Sequence, residues 1–169
     1  MATAIGLRVD PKKVTYAVVS GPAGNKFSVT RVGEVNVPYA LTIPRRLAFI
    51  RTTLLDIIEE SGSTRAGLRT GEPIAKRKDS FRLNLEGIVQ ELLVSSEIEN
   101  FIAGPISTIS SFLGEGDRTA VKGFIDGAKP PIVEAAWGDL DVLQREAVLV
   151  AVCAGLSKPD AQGAGASPL

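Results

Sequence analysis

Hydrophobic positions open the chain in three runs, Ala4 to Val9, Val14 to Ser20 and Lys26 to Val37, each rich in β-branched residues. The breaks between them are Asp10-Pro11-Lys12 and Gly21-Pro22-Ala23-Gly24-Asn25. β-Branched side chains suit a pleated surface and Pro, Gly and Asn suit turns, so this pattern predicts an antiparallel meander of three strands. The period then changes. From Pro44 onward, Leu47, Ile50, Leu54, Ile57 and Ile58 recur at helical spacing, with Arg45, Arg46, Arg51, Glu59 and Glu60 on or near the other face. An amphipathic helix ending near Ser61-Gly62 follows.

Arg65 to Thr70 predicts a short strand, followed by the turn Gly71-Glu72-Pro73 and the basic loop Lys76-Arg77-Lys78. Asp79 or Ser80 can cap a second helix that carries Leu83, Leu85, Ile88, Val89, Leu92 and Leu93. Ile98 to Ile102 reads as another strand, Pro105 to Leu113 as an extended or loop segment, and Asp117 to Ile125 as a short helix. The last helix is expected from about Gly138-Asp139 to a glycine stop at Gly155. The order β-β-β-α-β-α-β-(short element)-α predicts an α/β fold: a mixed five-stranded sheet, three antiparallel strands plus two parallel ones, with helices on both faces. It is expected as one domain over residues 1–156, followed by a flexible Gly-, Ala-, Pro- and Ser-rich tail over residues 157–169.

Composition narrows the chemistry. The 169 residues are 44% hydrophobic and only 5% aromatic, enough for one largely aliphatic core. Histidine is absent, which removes the commonest general base and transition-metal ligand and makes serine-triad hydrolysis and histidine-ligated zinc improbable. The single cysteine, Cys153, sits in an apolar run and reads as a buried small hydrophobe, so a reducing, cytoplasmic setting is expected. No apolar stretch reaches the roughly 18 residues of a membrane helix. The net charge of zero conceals opposed halves, +7 over residues 1–82 and −7 over residues 83–169. A basic first half suits a polyanion, and an acidic second half suits cations, unless the two neutralise each other in the fold.

The acids form a pattern of their own. Asp10 ends the first strand, and in a sheet of this order the strand before Glu72 can lie beside it, bringing both to one edge. On a continuous final helix, Asp139 and Glu146 fall within about 20° of each other, while Asp141 lies on the far side, where an ion pair with Arg145 would account for it. Three or four carboxylates at one spot need cations, and hard oxygen ligands without histidine point to Mg²⁺ or Mn²⁺. Two such ions about 4 Å apart can activate water and stabilise the leaving oxygen of a phosphodiester.

These same segments resemble the ribonuclease H-like superfamily, and within it the RuvC-like Holliday-junction resolvases, over nearly the whole of Ala4 to Gly155. Ile5-Gly6-Leu7-Arg8-Val9-Asp10-Pro11 with Val14-Thr15-Tyr16-Ala17-Val18 is similar to the family's first hairpin, whose Asp-Pro aspartate is a metal ligand. Glu72-Pro73, the loop Ala75-Lys76-Arg77-Lys78-Asp79-Ser80 and the helix through Leu85-Glu86-Gly87 resemble its second-acid strand, basic loop and helix. Gly114-Glu115-Gly116-Asp117-Arg118-Thr119-Ala120-Val121 resembles a glycine loop and short helix that present a cation, here Arg118, near the scissile phosphate. Glu146-Ala147-Val148-Leu149-Val150-Ala151 resembles the final helix, which puts Glu146 where the family has its last aspartate. Lys12 replaces the usual glycine after Asp-Pro, and the preceding helix acid aligns with Leu143 unless Asp139 or Asp141 substitutes.

The resemblance implies a Mg²⁺- or Mn²⁺-dependent endonuclease cutting branched or structured DNA as a homodimer. Asp10, Glu72, Asp139 and Glu146 would be catalytic, the same acids with Asp141 would hold metal, and Lys76, Arg77, Lys78 and Arg118 would contact phosphates. The alternative is a catalytically silent ribonuclease H-like module that binds nucleic acid or a protein partner. A third reading, a sugar-kinase or actin-like half-domain, lacks a second copy of the unit and a phosphate-binding glycine loop.

Overall fold

Strand residues point to alternate faces of a sheet, and the first strand sorts its side chains by size along that alternation. In the computed structural model, which describes residues 1–22, 26–73 and 79–158, this strand is β1 (Ala2–Val9). Ile5, Leu7 and Val9 face one side, whereas Ala4, Gly6 and Arg8 face the other. β2 (Lys13–Gly21) and β3 (Phe27–Asn36) complete the antiparallel meander. β4 (Arg65–Arg69) and β5 (Asn100–Gly104) add in parallel on the other side of β1. The five expected strands are present, and a two-residue β6 (Val133–Glu134) pairs in parallel with β3, giving the order β5-β4-β1-β2-β3-β6.

The bulky face of the sheet is covered by α1 (Ile43–Ser61) and α2 (Ser80–Ser95), which bury Ile50, Leu54, Ile57 and Ile58 and then Leu85, Val89, Leu92 and Leu93. Gly62, at φ 61°, ends α1 in the left-handed conformation that favours glycine. The small-residue face takes α3 (Ile106–Leu113), α4 (Arg118–Asp126) and α5 (Val142–Leu156). Cys153 is buried there, and burial pushes its thiol up to about 12. Among the described residues no helix is long and apolar enough to cross a membrane.

Two expectations need correction. The segment after Pro105 is a helix, not a loop: Ile106 and Ile109 are buried one turn apart, and Gly114 at φ 71° stops it. The last helix begins at Val142 rather than at Gly138-Asp139. Asp141 is its N-cap, accepting from the Gln144 N–H at 2.9 Å while the Gln144 side chain accepts from the Asp141 N–H. Trp137–Asp139 forms a separate 3₁₀ turn ahead of it. The tail from residue 159 lies outside the described residues.

α5 lies against β1 and β4 with almost no side chain between them. A Cβ on Gly6 would run into the Ala147 carbonyl and come within 2.7 Å of the Ala151 nitrogen, and one on Gly67 would come within 2.8 Å of Val150 Cγ2. Gly6→Ala is therefore expected to lower stability by about 1–3 kcal/mol or more, because helix backbone cannot give way as a side chain can. Chemical denaturation checks this, and Gly87→Ala, where an added Cβ meets nothing, is the control.

Candidate functional site

The close seating of α5 has a geometric consequence. Two residues along a strand advance about 6.6 Å on one face, and one helical turn advances about 5.4 Å. Gly67 packs under Val150 and Gly6 under Ala147 and Ala151, with the helix running against the strands. One step further along each strand, and about one turn back along the helix, Arg8 and Arg69 meet Glu146. Arg8 and Arg69 are register partners across the β1–β4 pairing, so both guanidinium groups arrive from adjacent strands at the same height.

Arg8 Nε contacts Glu146 Oε2, and Arg69 Nη2 lies 3.5 Å from Glu146 Oε1. Arg69 Nη2 also lies 2.9 Å from Glu72 Oε1, which accepts a further hydrogen bond from the Ile106 N–H at 3.1 Å, at the start of α3. Arg118 Nη1 stands 3.8 Å from Glu72 Oε2. The charges thus alternate Arg8, Glu146, Arg69, Glu72, Arg118. Side-chain exposure is 15% at Arg8, 8% at Glu146 and 3% at Arg69, against 33% at Glu72 and 51% at Arg118, so the row is most buried at Arg69 and opens to solvent at Arg118.

Burial lowers the Arg69 pKa, Glu146 and Glu72 oppose that shift, and neighbouring Arg8 adds to it. Guanidinium nevertheless remains protonated in proteins, so Arg69 is a fixed positive charge. Arg69 also donates to the Thr70 carbonyl, and Arg8 Nη1 to the Arg69 carbonyl at 3.4 Å. Arg65, on the same face of β4, donates to the carbonyls of Gly155 and Ser157 at 2.7 and 3.0 Å and so closes the far end of α5. Nearby, Glu86 accepts from the Gly71 N–H at 2.9 Å, with Arg82 at 3.7 Å.

The acids expected to converge take different places. Asp10 lies past the end of β1 in the hairpin turn, where its Oδ1 accepts from the Lys12 N–H at 3.0 Å and its backbone pairs with Lys13. It is a turn-forming aspartate. Glu72 and Glu146 are brought together, but around the Arg69 guanidinium. Asp139 is exposed in the 3₁₀ turn, off α5, so the shared helical face with Glu146 does not exist. Asp141 is engaged as the α5 cap, and Arg145 does not pair with it: its guanidinium donates to the carbonyls of Trp137 and Ile125. Arg118 opens α4 beside Glu72, whereas Lys76, Arg77 and Lys78 lie outside the described residues.

No family model and no curated protein sequence matches the chain. Solved structures do. The Thermus thermophilus RuvC in complex with Holliday junction substrate is similar at 12% identity and a TM-score of 0.64, over 89% of this chain and 91% of that one. The yeast mitochondrial Holliday junction resolvase is similar at 14% identity and a TM-score of 0.59, over 92% and 77%. The chain has the RuvC-type resolvase fold. At these identities the likeness establishes the architecture, and the site has to be judged on its own residues.

A divalent ion, which the resemblance to RuvC-type resolvases implies, does not fit the donors present. Among the described residues no three of the His, Cys, Asp and Glu side chains form a group able to hold a metal ion. The residues that face Glu146 from β1 and β4 are Arg8 and Arg69. A dication placed there would sit against two fixed positive charges and compete for a carboxylate they already neutralise.

Reading the sequence for acids missed the residues that carry this site: Arg8, Arg69 and, alongside them, Arg82 and Glu86. A signal was present. Arg8 and Arg69 each end an otherwise apolar Gly-Leu-Arg step, and a charge spaced two residues from a glycine in a buried strand faces whatever that glycine admits. Glu146→Gln takes away the carboxylate that Arg8 pairs with, leaves Arg69 with Glu72 alone, and is expected to cost about 3–5 kcal/mol. The triple replacement Arg8→Met, Arg69→Leu, Glu146→Leu removes the three inner members at once, leaves Glu72 paired with Arg118 near solvent, and is expected to retain much more stability. Urea denaturation of both variants checks the contrast.

Proposed function

We propose that this protein is a catalytically silent ribonuclease H-like module that binds branched or structured DNA, with a homodimer engaging a two-fold junction. The observation that carries this reading is the Arg8–Glu146–Arg69 arrangement, in which guanidinium groups face Glu146 from both strands. A site of this charge offers no seat for the ions that a two-metal phosphodiester cleavage requires. DNA binding is supported by the resolvase architecture, by the basic first half of the chain, and by Arg118 standing half-exposed at the solvent end of the charge row. Lys76-Arg77-Lys78 follows the site directly in sequence and supplies further phosphate contacts in this reading.

The fold itself favours a second reading, a Mg²⁺- or Mn²⁺-dependent endonuclease acting in DNA recombination and repair. For that, Glu146 has to exchange both guanidinium groups for cations and draw Asp10 and Glu72 in beside them. Incubating a four-way DNA junction with the wild type in Mg²⁺, in Mn²⁺ and in EDTA separates the two. The silent module binds the junction equally in all three, loses affinity steeply with salt and leaves the strands intact. Metal-dependent nicking that disappears in both Asp10→Asn and Glu146→Gln establishes the endonuclease instead.

A further inference from the structure

Glu72 occupies a different kind of position from Glu146. Its carboxylate accepts from the Arg69 guanidinium at 2.9 Å and the Ile106 N–H at 3.1 Å, with the Arg118 guanidinium at 3.8 Å. Two cations and a backbone N–H at a helix start converging on one tetrahedral or planar oxyanion are the elements of a phosphate site. Arg69 is 97% buried and held by the sheet and by Glu146, so it stays in place whatever Glu72 does. Glu72, by contrast, lies in the connection after β4 and is one-third exposed.

The charge count points the same way. Three arginines, Arg8, Arg69 and Arg118, face two carboxylates, Glu146 and Glu72, which leaves one surplus positive charge at the solvent end. If Glu72 withdraws, Arg8 and Arg69 share a single carboxylate and the site carries two uncompensated positive charges beside a free N–H. Only an anion restores the balance, and it must arrive from the solvent side, past Arg118.

We propose that Arg69, Arg118 and the Ile106 N–H form a phosphate subsite in which the Glu72 carboxylate is the resident occupant, displaced by a backbone phosphate when DNA binds. This rests on the DNA-binding reading above and identifies where one phosphate enters. Glu72 then sets the affinity: it keeps the buried cations satisfied in the free protein and must be expelled for binding, so it discriminates against weakly held anions.

Two measurements test it. The first is binding of inorganic phosphate, against chloride at equal ionic strength, to wild type, Glu72→Ala and Glu72→Ala/Arg118→Ala. The second is four-way junction affinity across a salt series for the same proteins and Arg118→Ala. Glu72→Ala is expected to bind phosphate and the junction about three- to ten-fold more tightly than wild type. Adding Arg118→Ala should abolish that gain, and Arg118→Ala alone should reduce the salt slope by about one contact. Unchanged phosphate affinity in Glu72→Ala, or a gain that survives removal of Arg118, overturns the subsite while leaving junction binding as a separate question. A phosphate gain in Glu72→Ala with no junction binding by any protein upholds the subsite chemistry and overturns the DNA reading.

Discussion

A carboxylate on the buried side of α5 needs positive charge held against it to offset its desolvation, and in this fold that charge comes from two adjacent strands at once. Arg8 and Arg69 reach Glu146 because Gly6 and Gly67 let the helix backbone approach the sheet, and because a strand step of two residues nearly matches one helical turn. The ion pairs and the close helix–sheet contact therefore depend on each other. A side chain at either glycine lifts the helix away from the guanidinium groups, and loss of Glu146 strips Arg8 of its carboxylate and leaves Arg69 to Glu72 alone. Such a cluster contributes less to net stability than its contacts suggest, since desolvation offsets most of the attraction, but its removal piece by piece is costly.

The architecture was legible in the sequence wherever local periodicity decided it. The meander, α1 with its Gly62 stop, α2 with its Asp79 cap and the placing of β4 beside β1 all follow from runs of apolar residues, turn chemistry and the order of elements. Where tertiary contacts decided, the sequence was misleading. The segment from Pro105 to Leu113 read as extended or loop and is α3 with Pro105 as its N-cap, and the helical angle shared by Asp139 and Glu146 dissolved because Asp141 starts the helix between them. β6, two residues long, has no periodicity to detect and exists only through its pairing with β3.

The site was legible in position but not in sign. Following acids correctly led to Glu72 and Glu146, and to the edge where β1 and β4 end side by side. It considered metal ions as their counter-charge and left out the arginines, because a cation supplied by the chain leaves no distinctive motif. An arginine in a strand is ordinarily read as an exposed residue, and nothing in the one-dimensional pattern states that Gly-Leu-Arg on two strands will be paired in register. Asp10, which drew attention as a lone acid at a strand end, sits in the hairpin turn, where its side chain accepts from Lys12 and its backbone pairs with Lys13. The fold shared with the RuvC structures and the charges set around Glu146 are thus separate features of this chain, and the first does not dictate the second.

The central claim is that Glu146 is neutralised by the chain's own guanidinium groups. Crystals of the wild-type protein soaked in Mn²⁺, with anomalous diffraction measured at the manganese edge, test it at atomic level. The account predicts no manganese peak within coordinating distance of Glu146, with Arg8 and Arg69 still against its carboxylate. A manganese ion bridging Glu146 to Asp10 or Glu72, with the two arginines swung away, would contradict it.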